Sequence, residues 1–267
     1  MPYLSRIRIN PLRTQSRRLL ASPHVLHGAV QGGFPGPPGA ERTLWRLDAD
    51  DPYRPHVYVL SRSRPDWTHL VESAGWPGAA GEHAAVRDYA PLLKRLAEGQ
   101  EYAFRLTANP VRNTVKPEFL TPSQAKKLAR VPEGTKARGF RVAHRTAQAQ
   151  LDWFLGHTDR WGFGVSGSRT DPAAPGLAEP SDDVRDVQDV QDVRPGSGPQ
   201  EVRITARRRH SFAKGDGTRR VTFNSATFEG RLRIRDVELF SATLLAGIGP
   251  AKAYGCGLLT VAPLRQE

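Results

Sequence analysis

Tyr3-Leu4-Ser5-Arg6-Ile7-Arg8-Ile9-Asn10-Pro11 opens the chain with a period of two. Tyr3, Ser5, Ile7 and Ile9 fall on one face, Leu4, Arg6 and Arg8 on the other, which is the signature of a half-buried strand stopped by Asn-Pro. A second alternating run, Glu101 to Ala108 with Tyr102, Phe104, Leu106 and Ala108 in phase, ends the same way at Asn109-Pro110. Between them, Leu12 to Ala21 suits a helix. Ser22-Pro23 reads as an N-cap followed by proline at the first helical position, starting a short helix that reaches about Val30. Gly32 to Gly39 is a loop, Thr43–Leu47 and His56–Ser61 read as strands, and Asp66 caps a helix running to Ala74. The order β-α-β-β-α-β predicts a ferredoxin-like, or RRM-like, unit over residues 1–110.

The second half repeats the pattern. Residues 111–138 read as a linker with a short helix around Ser123 to Arg130. A strand at about Gly139 to Ala143, a helix over Ala147–Arg160, a strand starting at Gly162, a hairpin of Val202–Phe212 with Arg219–Ile234, a helix over Val237–Ala246 and a last strand over Leu258–Ala262 predict a second ferredoxin-like unit over 139–267. The fold class is therefore α+β, two tandem ferredoxin-like domains joined by a linker. Residues 170–200 interrupt the second domain with a three-residue period (Asp186-Val187-Gln188, Asp189-Val190-Gln191) that fits neither helix nor strand, so they read as a disordered acidic insertion.

Charge narrows the function. The formal net charge is +12. Asp171 to Gln200 holds seven acidic and two basic residues, so this segment carries −5 and the rest +17. A body so basic favours a polyanion, since each phosphate contact releases condensed counterions. No apolar run is long enough to span a bilayer, so no membrane partner is expected. Charges interrupt the N-terminus as they do not in a signal peptide, and the single cysteine, Cys256, excludes an internal disulfide. The cytoplasm follows by default.

The densest positive run is the hairpin: Arg203, Arg207, Arg208, Arg209, His210, Lys214, Arg219 and Arg220. A-form RNA hides its base edges, so a basic ribbon pressed against phosphates or into the deep groove suits it; the bland alternative is an edge kept soluble by charge. Arg112, Arg17 and Arg18 are weaker candidates. The sheet itself lacks an aromatic RNP-type motif. Gly247, Gly249, Gly255 and Gly257 surround Lys252 between a helix and a strand. Glycines admit a phosphate close to the backbone, although such a loop is in most proteins a structural turn.

That segment, Gly247-Ile248-Gly249-Pro250-Ala251-Lys252-Ala253-Tyr254-Gly255-Cys256-Gly257-Leu258-Leu259, closely resembles the C-terminal signature of CRISPR RNA-processing endoribonucleases, with the type I-E branch, the CasE family of Cascade subunits, fitting best. Tyr3 to Pro11 resembles the family's first strand, Phe104 to Pro110 its mid-chain motif, and Phe228-Glu229-Gly230-Arg231-Leu232 another of its strands. Four motifs stand in the family's order along the chain; the acidic insertion matches none. The resemblance implies tandem ferredoxin-like domains, cleavage of CRISPR precursor RNA at the 3′ base of the repeat stem–loop, and retention of the mature crRNA beside other Cascade subunits. It also implies that His27, on the short helix after the first strand, is the catalytic histidine. Some relatives carry a tyrosine where this chain has His24.

Residues three apart on a helix share a face, so His24 and His27 can address one phosphate. Imidazoles suit metal-independent RNA cleavage, one group taking the 2′-hydroxyl proton while another protonates the leaving 5′-oxygen. A helix start also offers N–H groups to an anion. No cofactor and no metal is expected. Asp48, Asp50 and Asp51 form the only tight acidic cluster outside the insertion and read as a solvated loop rather than as ligands. Two rivals remain: a non-catalytic RNA-hairpin-binding subunit on the same fold, and a metal-dependent nuclease.

Overall fold

The structure is a computed structural model that describes residues 1–37, 39–78, 81–114, 125–126, 128–130, 139–167, 200–214 and 219–264. Residues 170–199 of the acidic insertion, and residues 123, 124 and 127 of the linker helix read at Ser123 to Arg130, lie outside the described residues.

The first sheet is built from β1 (Tyr3–Arg8), β2 (Leu44–Asp48), β3 (His56–Ser61) and β4 (Ala84–Asp88) in the order β2-β3-β1-β4. All pairings are antiparallel, with Ile7 opposite Val57 and Ala84. This is the ferredoxin-like order. Helices α1 (Thr14–Ala21), α2 (Pro23–Gln31) and α3 (Thr68–Ala74) lie between strands in sequence. Ile7, Ile9, Leu19, Leu26, Val30 and Trp45 share one core, so the alternating strand and the apolar side of the helices meet where the sequence places them. Asp66 accepts from the Thr68 N–H at 2.8 Å and so steadies the start of α3, although the capping position itself is Trp67.

The second alternating run departs from the sequence reading. β5 (Glu101–Ala108) does not close the first sheet; it pairs with β10 (Arg219–Ile234) and β11 (Leu259–Ala262) in the second. Phe104, Leu106 and Ala108 join the second core with Phe154, Phe163 and Phe228. The first sheet is completed by β4, whose Ala84-Ala85-Val86-Arg87-Asp88 carries little alternation because it is a partly exposed edge. A short helix, α4 (Ala90–Arg95), then leads across to β5. With β5 in the first position of the second unit, the strand expected at 139–143 has no place there. It is β7 (Phe140–Ala143), paired with β6 (Val111–Thr114) in a separate two-stranded ribbon.

The second sheet runs β11-β5-β10-β8, with β9 also on β10. β8 (Phe163–Val165) pairs with Leu232–Ile234 and β9 (Val202–Lys214) with the rest of the same edge. The two are halves of one strand position, bridged by Gly167 and Gln200. The acidic insertion therefore leaves and re-enters at adjacent points, the arrangement in which a long insertion costs least in loop closure. Helices α5 (Ala147–Leu155) and α6 (Val237–Ala246) complete the unit.

Arg46 ties the two sheets together. Buried at 2% exposure, it donates to the carbonyls of Arg105 at 2.8 Å and Leu258 at 3.1 Å, and forms a two-pronged pair with Asp48 at 2.6 and 2.9 Å. Arg105 meets Asp48 at 3.5 Å, Asp50 at 2.5 Å and Glu229 at 2.8 Å. Burial lowers the Arg105 pKa, but these three carboxylates outweigh it and hold the group above its ordinary value. Asp48, on β2 and half-buried, is thus not part of the solvated loop expected from sequence, while Asp50 is exposed as expected but pairs with Arg105, which lies far along the chain.

Candidate nucleic-acid interface and active site

Helix α2 begins as the sequence predicts. Ser22 Oγ accepts from the Val25 N–H at 3.5 Å, the Ser22 carbonyl accepts from Leu26 at 3.0 Å, and Pro23 has no N–H to satisfy. These bonds occupy most of the first turn, which leaves the His24 N–H as the donor they do not use. Leu26 and Val30 fix the buried side; His24 and His27 are half-buried on its flank, about 60° apart at 100° per residue.

Two other elements converge on this helix. The 3-10 turn Lys252–Tyr254 of the glycine loop packs directly against it. From the other side, the β9–β10 hairpin presents Phe212, whose ring lies parallel to that of His24. Phe212 in turn meets Tyr254 at 5.0 Å and Phe223 at 6.3 Å, and Phe223 stacks on His210 at 4.5 Å. A cleft of about 340 Å³ opens here, lined by Pro23 of α2, Arg208, Arg209 and His210 of β9, and Tyr254 and Gly255 of the loop.

The hairpin's cations differ in what they meet, and Arg209 reaches the cleft although it alternates with Arg208 and His210. Arg208 and His210 lie on the face of Phe212, and His210 Nε2 shares a hydrogen bond with Ser225 Oγ at 2.9 Å. Burial, then the nearby Arg208, lowers the His210 pKa below its ordinary value. Arg207 turns the other way: its Nε donates to Gln150 Oε1 at 2.9 Å and its guanidinium also meets the Arg145 carbonyl. Arg203 is exposed and faces Glu229 at 3.5 Å. Arg209 and Arg220 are exposed, and Arg220 donates to Ser211 Oγ at 3.1 Å. Lys214 and Arg219 pair in register at the tip, but their side chains lie outside the described residues. Arg17 and Arg18 are exposed on α1 and Arg112 on β6.

The glycines have packing reasons of their own. Gly247, Gly249, Gly255 and Gly257 all have positive φ. A Cβ on Gly255 would lie 2.7 Å from the Trp45 ring, and one on Gly247 2.7 Å from Leu44. The loop is thereby pressed onto the first sheet, and its backbone bends sharply enough to carry Lys252 out on one side and Tyr254 on the other. Lys252 is half-buried, and burial, then Arg42, lowers its pKa. The loop's aromatic partners Phe212, Phe223 and Tyr254 escaped the sequence reading. His210-Ser211-Phe212 does carry a usable signal, since alternate residues of a strand share a face.

Among the described residues no cluster of three or more His, Cys, Asp or Glu is placed to hold a metal ion, and no helix is long and apolar enough to cross a membrane.

Comparison with known proteins follows the same geometry. The model of a family described as CRISPR associated protein matches residues 2–263. The CRISPR-associated endoribonuclease Cse3 of Thermus thermophilus is 30% identical over 264 residues, covering 98% of this chain and 100% of the relative. The Cascade subunit CasE of Escherichia coli is 43% identical over 56 residues, 21% of this chain and 28% of the relative. A solved structure of the endoribonuclease Cse3 bound to a 19-nucleotide RNA superposes with a TM-score of 0.65 at 26% identity, covering 98% of this chain and 99% of that one.

Proposed function

The chain belongs to the CRISPR-associated protein family that its full-length relatives define, and from that membership we propose that it is an endoribonuclease that processes CRISPR precursor RNA and remains on the product as a Cascade subunit. The observation that supports the reading is the seat of α2: the glycine turn packs on it, the His24 ring lies parallel to Phe212 of the arginine-rich ribbon, and its Pro23 and Leu26 help line the cleft.

The repeat stem–loop lies along the ribbon, with Arg208, Arg209 and His210 toward it and Arg220, Lys214 and Arg219 nearer the tip. The base of the stem meets α2, where the chain is cut on the 3′ side. His27 is the principal acid–base group and His24 its helper. The 2′-hydroxyl gives up its proton, its oxygen forms a new bond to the adjacent phosphorus, and the P–O bond to the 5′-oxygen breaks as that oxygen takes a proton. The products are a 2′,3′-cyclic phosphate, or the 3′-phosphate it hydrolyses to, and a 5′-hydroxyl. No metal takes part in these steps. Gly247, Gly249, Gly255 and Gly257 shape the loop that brings Lys252 and Tyr254 to the RNA. The many phosphate contacts favour slow release, so the enzyme acts in effect once per molecule.

Incubation of the protein with repeat RNA in excess EDTA tests this. Cleavage is expected to persist and to leave 5′-hydroxyl ends, and a 2′-deoxy sugar just upstream of the cut is expected to block it. Loss of cleavage in EDTA, or 5′-phosphate ends, overturns the metal-independent mechanism. His27→Ala is expected to lower the rate by about 10²–10⁴-fold with RNA binding retained; unchanged cleavage removes His27 from the mechanism.

A further inference from the structure

The glycine loop is a wall with two sides. Tyr254 and Gly255 face the cleft beside α2, whereas Gly249, Pro250, Ala251 and Lys252 line a second, wider cleft. The second cleft's other walls come from three separate places: Arg42 just before β2, Arg141 of β7, and the aromatic group Trp153, His157 and Trp161. Arg42 and Arg141 are exposed and Lys252 is half-buried, and among the described residues none of the three is paired with a carboxylate. Like charges gathered without counter-charge cost free energy in the free protein, a cost that a polyanion removes.

The aromatic side is ordered for contact. His157 and Trp161 are half-buried and stacked, with centroids 5.6 Å apart and planes at 24°, and Trp153 lies behind them at 5.3 and 5.6 Å. His157 Nδ1 is hydrogen-bonded to the Trp153 carbonyl at 2.6 Å, which locks the imidazole plane. Ala251 holds a left-handed φ of 63°, uncommon for a residue with a side chain, and so turns Lys252 into this cleft. Cations that track a backbone beside flat rings that accept any base form the pattern of single-strand binding sites.

We propose that this second cleft is a single-strand subsite: RNA flanking the stem crosses the glycine loop, its phosphates meeting Arg42, Arg141 and Lys252 and a base stacking on the His157–Trp161 face. The proposal rests on the endoribonuclease reading above. It adds that the protein grips unpaired nucleotides by a surface separate from the ribbon, without reading their sequence.

Two probes separate the contributions: a repeat stem–loop ending at the base of its stem, and the same stem–loop with eight uridines added at each end. Binding is measured at fixed salt for the wild type and for the R42A/R141A double variant, whose substituted side chains are both exposed. In the wild type the uridine tails are expected to tighten binding by on the order of tenfold or more, from stacking and phosphate contacts. In the double variant that gain is expected to vanish while the tail-less stem–loop binds as before. A gain that survives in the variant, or an equal loss for both probes, overturns the subsite. A twelve-nucleotide oligouridine alone gives an independent reading: it should bind the wild type and not the variant, and equal binding to both overturns the subsite as well. If the wild type neither binds nor cuts the stem–loop, the endoribonuclease reading fails, and the oligouridine measurement still decides on the cleft.

Discussion

The ring of His24 lies parallel to that of Phe212, with planes within 1° of each other and centroids 6.3 Å apart. One residue belongs to the helix that carries His27, the other to the ribbon that carries the arginines. Phe212 also touches Tyr254 of the glycine loop, so three elements distant in sequence meet at one aromatic side chain. Phe212→Leu keeps an apolar side chain but removes the flat face. It is expected to lower the single-turnover cleavage rate about tenfold, a fraction of the 10²–10⁴ that acid–base catalysis supplies, with little change in RNA affinity. Phe212→Tyr should restore the rate. A rate unchanged in the leucine variant would mean that the stack does not hold His24 in place.

Neighbouring arginines of the ribbon should behave differently because they meet different partners. Arg208 faces the cleft, while Arg207 is spent on Gln150 and the Arg145 carbonyl. Arg208→Ala is expected to weaken RNA binding and to lower the slope of log affinity against log salt by about 0.7–0.9, the value of one phosphate contact. Arg207→Ala is expected to leave that slope nearly unchanged and to destabilise the fold by roughly 1–3 kcal/mol, the cost of stranding the buried Gln150 amide. Binding titrations over a salt series, with urea denaturation alongside, distinguish them; equal slopes for the two variants would refute this division.

Gly255 carries two constraints at once. Its φ is +82°, and a Cβ there would lie 2.7 Å from the Trp45 ring. Gly255→Ala therefore combines about 1–2 kcal/mol of left-handed strain with roughly 1–3 kcal/mol of overpacking. Loss of stability in this range, measured by denaturation, is expected together with slower cleavage, because the same loop abuts α2. Gly249 also has positive φ, but a Cβ there would meet Trp153 only at 3.6 Å, so Gly249→Ala should cost the strain alone.

Much of this was legible from local signals. The period of two in β1 and β5, the Ser22-Pro23 helix start and the helix over Val237–Ala246 are set by nearest neighbours in the chain, and the structure has them where the pattern places them. The sheet that β5 joins was not legible. Its alternation specifies a buried face without saying against which partner, and the competing strand β4 is nearly featureless Ala84-Ala85-Val86. The ion pairs of Arg105 with Asp48 and Asp50 were hidden for the same reason, since a cluster of carboxylates looks solvated until the opposite charge folds onto it. At the site, the basic hairpin stood out by composition and the two histidines through the family resemblance. The aromatic contacts that join them did not, because each ring is ordinary alone and acquires its role only from register: His210 opposite Phe223, with Phe212 two residues on.

That register also sets a pH dependence. His210 stacks on Phe223 and is bonded to Ser225, and its pKa is held below the ordinary 6.5, first by burial and then by Arg208. His56 and His144 are shifted in the same direction, again chiefly by burial. In the unfolded chain these imidazoles take up protons as the pH falls through 6.5; in the folded protein they resist until a lower pH. Over that interval the unfolded state binds more protons, so stability rises with pH and is lost progressively on acidification, levelling off only below the folded values. Urea midpoints are therefore expected to be lower at about pH 5.5 than at about pH 7.5. His210→Gln, which offers an amide to Ser225 but does not titrate, should shrink that difference. Bound RNA works against the shift, because phosphate near the ring favours its protonated form. The RNA complex should accordingly lose less stability than the free protein over the same pH drop. An identical pH slope for wild type and His210→Gln would show that the ring is not the group that senses the change.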